Sequence, residues 1–124
     1  MGGPEGAREP AVRFEFVETK VFTKRIAALA LENQLRQLQM VLVANPEAGT
    51  LDPGTGGLRK VRLADPNRGK GKRGGARVHY LLLAHTKRIY LLSVYGKDEA
   101  NTLTMDQKKQ LRVIVEGIKR DASG

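Results

Sequence analysis

Cysteine and tryptophan are both absent from the 124 residues of this chain. Without cysteine there is no disulfide, no thiolate nucleophile and no thiolate metal ligand. Acidic residues are also scarce. Asp and Glu number 13 against 22 Lys and Arg, a formal charge of +9 with a sequence pI near 10.2. Such an excess points to a polyanionic partner, most often nucleic acid. No apolar run approaches the ~18 residues of a membrane span. The longest, Tyr80-Leu-Leu-Leu-Ala84, has the length and composition of a buried strand. The first ten residues lack the apolar stretch of a secretory signal, so the cytoplasm is the expected compartment and no membrane contact is expected.

What is present reads as one small domain. The 40% hydrophobic and 28% charged fractions are those of a globular chain, and the length suits a single unit at roughly 100–200 residues per domain. Residues 1–12, with three Gly and two Pro, read as a flexible tail, 13–120 as the domain, and 121–124 as a flexible C-terminus. Phe14 and Phe16 alternate with Arg13 and Glu15, as in a half-buried strand. Thr19 can cap a helix in which Phe22, Ile26 and Leu29 share a face. A second stripe, Leu31, Leu35, Leu38 and Leu42, continues through Asn45 to Pro46, giving a helical hairpin or one bent helix. The stretch from Gly49 to Gly57 is turn punctuation. Residues 58–63, 77–83 and 88–95 are strand candidates, the last two joined as a hairpin by 84–87. Thr104-Met-Asp-Gln107 is a capping box ahead of Leu111, Ile114, Val115 and Ile118. The expected fold is α+β, in the order β-α-α-β-β-β-α. It is a small twisted, mostly antiparallel sheet with two N-terminal helices and a C-terminal helix on one side.

Basic residues are concentrated in one region. From Arg59 to Arg77 there are eight (Arg59, Lys60, Arg62, Arg68, Lys70, Lys72, Arg73 and Arg77) against one acid, Asp65. Strand alternation puts Lys60 and Arg62 on one face, and Arg77 and His79 on one face of the next strand. They are expected to converge on an open sheet face opposite the helices. Gly69, Gly71, Gly74 and Gly75, with Gly57 at the base of the loop, would let the backbone approach a ligand. Gly69-Lys-Gly-Lys-Arg-Gly74 matches G-x-G-x-x-G literally, but it runs into a strand and not a helix, which argues against a dinucleotide site. The two histidines, His79 and His85, have no carboxylates clustered with them in sequence, so no metal site and no cofactor are expected.

The segments 56–62, 69–80, 89–97 and 103–111 together resemble the RelE/ParE superfamily of bacterial type II toxins, in its HigB-like branch. The resemblance spans most of residues 13–120. It implies a RelE-like fold and a metal-independent, ribosome-dependent messenger-RNA endonuclease, neutralised by a cognate antitoxin. The partners implied are therefore that antitoxin and the ribosome with its mRNA. Family basic residues fall here on Lys60 and Arg62, then Arg77, then Lys97 at a strand end. No tyrosine follows Tyr95, so the late tyrosine of RelE has no counterpart. The expected chemistry is attack of a ribose 2′-hydroxyl on the adjacent phosphate, leaving a 2′,3′-cyclic phosphate and a 5′-hydroxyl. Arg62, Arg73 and Arg77 would hold the phosphate, Lys60 or Lys97 would serve as base, and an arginine or Tyr95 would assist the leaving oxygen. Arg59, Arg68, Lys70, Lys72 and His79 would contact RNA. A non-catalytic nucleic-acid-binding module and a ParE-like gyrase inhibitor are the alternatives on the same residues.

Overall fold

Thr19 starts the first helix because its side chain accepts from the Phe22 N–H at 3.1 Å. A computed structural model describes residues 13–64, 75–96 and 102–123. The 1–12 segment, Arg68, Lys70, Lys72, Arg73, Lys97 and glycines 69, 71 and 74 lie outside the described residues. Strand β1 (Glu15–Glu18) leads into α1 (Lys20–Leu29) and α2 (Glu32–Ala44), followed by β2 (Thr50–Leu51), β3 (Arg59–Leu63), β4 (Ala76–Leu83), β5 (Arg88–Gly96) and α3 (Met105–Ser123). The fold is α+β, as the patterning indicates. The chain breaks between α1 and α2 at Ala30, which takes a left-handed conformation with φ 56°. There the Leu31 N–H returns to the Ile26 carbonyl and the Leu31 side chain is buried, an apolar lock on the turn. The two stripes are therefore two helices.

The five strands form one sheet in the order β1-β5-β4-β3-β2. β1 pairs with β5 in parallel, and the remaining pairs are antiparallel. Three details differ from the sequence expectation. β2 is an extra strand of two residues, too short for an alternation signal, paired with Arg59 and Lys60. α3 runs to Ser123, past the boundary placed at 120.

The third difference matters most, because the helices are not on one side. α1 and α2 pack Phe22, Ile26, Leu35, Leu38 and Leu42 against Val78, Tyr80, Ile89 and Leu91 on one face. α3 packs Val115, with Leu111 and Ile118, against Leu58, Leu81, Leu83 and Leu92 on the other. The reason lies in the Tyr80-Leu-Leu-Leu run. It supplies leucine to both faces, and the second apolar patch must also be covered. A register irregularity at His79/Tyr80 puts Ser93 opposite His79 and Leu91 opposite Tyr80, which leaves Leu92 for the second core. No helix among the described residues is long and apolar enough to cross a membrane.

Candidate functional site

The face shared with α3 carries the polar side chains. Register sets Lys60 opposite His79 and Arg62 opposite Arg77, then His79 opposite Ser93 and Arg77 opposite Tyr95. Three strands thus bring Lys60, Arg62, Arg77, His79, Ser93 and Tyr95 into one array. The side chains are not on an open surface, as the alternation alone suggests. Arg77 and Tyr95 are each 8% exposed and His79 is fully buried, while Lys60 is intermediate and Arg62 exposed. Lys108, near the start of α3, reaches Asp52 beside His79, and Gln107 lines a cleft with Tyr95, so α3 begins next to this face. Arg59 turns the other way, as strand alternation requires. Its Nη1 donates to the Gly49 carbonyl at 2.8 Å, so it anchors the turn after α2 and stands apart from the array. Tyr80, its cross-strand partner, fixes the same turn by donating to Pro46 O at 2.8 Å and accepting from Gly49 N at 2.9 Å.

Asp52 was absent from the sequence reading and is central here. Its Oδ2 lies 2.8 Å from His79 Nε2, and its Oδ1 accepts from Lys108 Nζ of α3 at 3.0 Å. The turn that carries it is closed locally: Thr55 Oγ1 donates to Asp52 O at 2.7 Å and accepts from Leu58 N at 3.0 Å. Gly54, Gly56 and Gly57 all have positive φ, so the turn needs glycine there. Lys108 also donates to Pro53 O and Lys119 to Gly56 O, which holds the turn beneath α3. The expectation that the histidines have no carboxylate nearby is corrected for His79. Asp52 is 27 residues away in sequence and reads there as an ordinary Asp-Pro-Gly turn.

Burial lowers the pKa of His79, outweighing the hydrogen bond to Asp52, so the imidazole is neutral at pH 7. Burial alone would raise that of Asp52, but the hydrogen bonds from His79 and Lys108 bring it below the ordinary value. A neutral imidazole still donates through Nε2–H, so the two directions are compatible. The Tyr95 phenol is pushed up by burial and by the Asp52 charge, against the pull of Arg77. Its ring stacks on His79, with centroids 5.9 Å apart and planes 26° off parallel. A cleft of about 280 Å³ between α1 and the start of α3 reaches Ser93 and Tyr95, lined also by Arg25 and Gln107.

Three buried polar atoms in this array have no partner among the described residues: Arg77 Nη1, His79 Nδ1 and Tyr95 OH. Buried polar groups are paired in the great majority of cases, and each unpaired one requires an explanation such as a bound water or ion or a catalytic role. Among the described residues no three His, Asp or Glu side chains stand together.

The His79 shift makes a prediction about stability. Between its lowered folded value and the ~6.5 of a free imidazole, the unfolded chain binds the extra proton. This contribution is therefore full above about pH 6.5 and is lost as the pH falls. Asp52 adds a loss of the same sign at lower pH. Thermal melts followed by circular dichroism should show Tm falling from pH 7.5 to pH 5.5, and falling less in His79→Gln. A Tm that stays level or rises on acidification would contradict this. No protein-family model matches the chain.

Proposed function

We propose that this protein is a metal-independent endoribonuclease, the toxin of a bacterial type II toxin–antitoxin system. It would cleave messenger RNA on the ribosome in the cytoplasm and be restrained by a cognate antitoxin. The observation that carries the reading is the trio of buried, unpartnered polar atoms on Arg77, His79 and Tyr95, set by register beside Lys60 and Arg62. Arg77 and Arg62 supply forked donors for a phosphate and for the charge that develops on it. Tyr95, protonated at neutral pH, can give its proton to the leaving 5′-oxygen. The enclosure supports the ribosomal dependence in this reading, because a flexible RNA strand would present its backbone to so closed a site more readily when already held in position.

The test is to express the protein in bacteria, map RNA 5′ ends, and then assay purified protein on translating ribosomes with EDTA present. In-frame breaks in translated messages, with 5′-hydroxyl termini and little cutting of naked RNA, are the expected result. DNA damage without RNA breaks would transfer the site to gyrase inhibition, and neither kind of damage would leave a binding module.

A further inference from the structure

The hydrogen bond between Asp52 and His79 determines more than the position of the ring. An ionised carboxylate can only accept. Its Oδ2 faces His79 Nε2 at 2.8 Å, and its other oxygen is already occupied by Lys108 Nζ at 3.0 Å. In a neutral imidazole the single ring proton must then sit on Nε2, which leaves Nδ1 as a bare lone pair. That lone pair is buried and has no donor among the described residues, although two unpartnered donors, Arg77 Nη1 and Tyr95 OH, belong to the same array. An acceptor beside unfilled donors matches a group that both donates and accepts, as a ribose hydroxyl next to a phosphate does.

We infer that His79 Nδ1 is the base that takes the proton of the attacking 2′-hydroxyl, and that Asp52 is the positioning residue that keeps His79 in the tautomer able to do so. This rests on the endoribonuclease reading above and replaces Lys60 and Lys97 as base. The 2′-oxygen bonds to phosphorus and its proton passes to Nδ1. The bond from phosphorus to the 5′-oxygen breaks, and that oxygen takes the Tyr95 phenolic proton. The imidazolium formed is stabilised by Asp52, as in other carboxylate–histidine pairs. Nδ1 and the Tyr95 hydroxyl are enclosed in the free protein, so the nucleotide reaches them by entering the cleft at Tyr95 and parting the stacked rings.

Two-bond ¹H–¹⁵N correlation of the imidazole nitrogens in the full chain tests the tautomer directly. The wild type at pH 7 should show Nε2 protonated and Nδ1 bare, and Asp52→Asn should shift the proton toward Nδ1, because the amide can donate to Nε2. Single-turnover cleavage by folded Asp52→Asn should fall about 10²–10⁴-fold. Lys119→Met, which removes the α3 ammonium that holds the same turn at Gly56 O without touching Asp52 or His79, should keep the wild-type tautomer and cleave within about fivefold of wild type, whatever its Tm. The wild-type rate should rise with pH through a single ionisation below about 6.5. Burial lowers it first, Asp52 opposes that, and Lys60 from β3 and Lys108 from α3 lower it further; Arg77 and Tyr95 are the other titratable groups on the same face. A wild-type ring protonated on Nδ1, an unchanged rate in Asp52→Asn, an equal loss in Lys119→Met, or no acid limb would each overturn the assignment. If Asp52→Asn does not fold, the wild-type tautomer and acid limb still decide it. Absence of any RNA cleavage by wild type would instead remove the endoribonuclease reading, with the tautomer measured independently.

Discussion

Arg77→Met should lower RNA cleavage by about 10²–10³, the usual effect of losing one well-placed charge-stabilising group, while leaving the protein at least as stable. Arg77 is 8% exposed, its Nη1 has no partner among the described residues, and a second arginine, Arg62, stands opposite it. A buried cation next to a like charge is unfavourable in the free protein. A methionine of similar length fills the same space without that penalty. The expected gain is about 1 kcal/mol, or about 4 °C in Tm for a domain of this size. Arg77→Lys keeps the charge but loses the fork, and should recover only weak cleavage. Lys87→Ala, in the β4–β5 turn away from the array, removes the same charge and should change neither quantity appreciably. If Tm and cleavage fall together in Arg77→Met, the arginine supports the fold and the charge-stabilising role is wrong.

Gly75→Ala should be among the most damaging single substitutions in the chain. A Cβ at Gly75 would overlap the Leu63 carbonyl oxygen and stand 3.0 Å from its carbon and 3.2 Å from Ala64 Cα. All three are backbone atoms at, or one residue past, the end of β3, so no side-chain rotation relieves the clash. A loss of about 3 kcal/mol or more is expected, at the upper end for overpacking, with Tm lowered by 10 °C or so. Gly117→Ala is the matched control. Its nearest neighbour is the end of the Arg120 side chain at 3.7 Å inside α3, so the substitution should stabilise by about 0.5–1 kcal/mol. Equal Tm values for the two variants would show that β3 yields at Leu63. At position 75, then, glycine is required by the chain's own packing, whereas the sequence suggested approach of a ligand.

Most elements could be read from periodicity. Phe22 and Ile26, and then Leu35, Leu38 and Leu42, are the buried positions of two helices. The Thr104–Gln107 box closes reciprocally, with bonds of 2.9 and 3.1 Å. The basic alternation placed Lys60, Arg62, Arg77 and His79 on one face, and they do share it. Pairing across distance was not legible. Leu81 and Leu83 look alike whether or not a helix covers them, so alternation alone could not place α3. A lone aspartate in Leu-Asp-Pro-Gly carries no local sign that its carboxylate meets an imidazole on β4 and an ammonium on α3. Burial was also hidden, since alternation assigns Arg77 and His79 a face and not the degree to which that face is covered.

The parallel pairing of β1 with β5 has a kinetic consequence. β4 and β5 are joined by a single tight turn at Ala84–Thr86 and can zip together early. Thr19, by contrast, bonds to Leu92 across 73 positions. Closing so long a loop loses entropy before any contact is gained, so β1 should dock after the hairpin and its neighbours have formed. Until it docks, the outer backbone of β5 has unsatisfied amides and carbonyls that can recruit a strand from another molecule. The last contact to form is therefore the one that protects the nascent sheet from self-association, and refolding yield should be set by chain concentration more than by final stability.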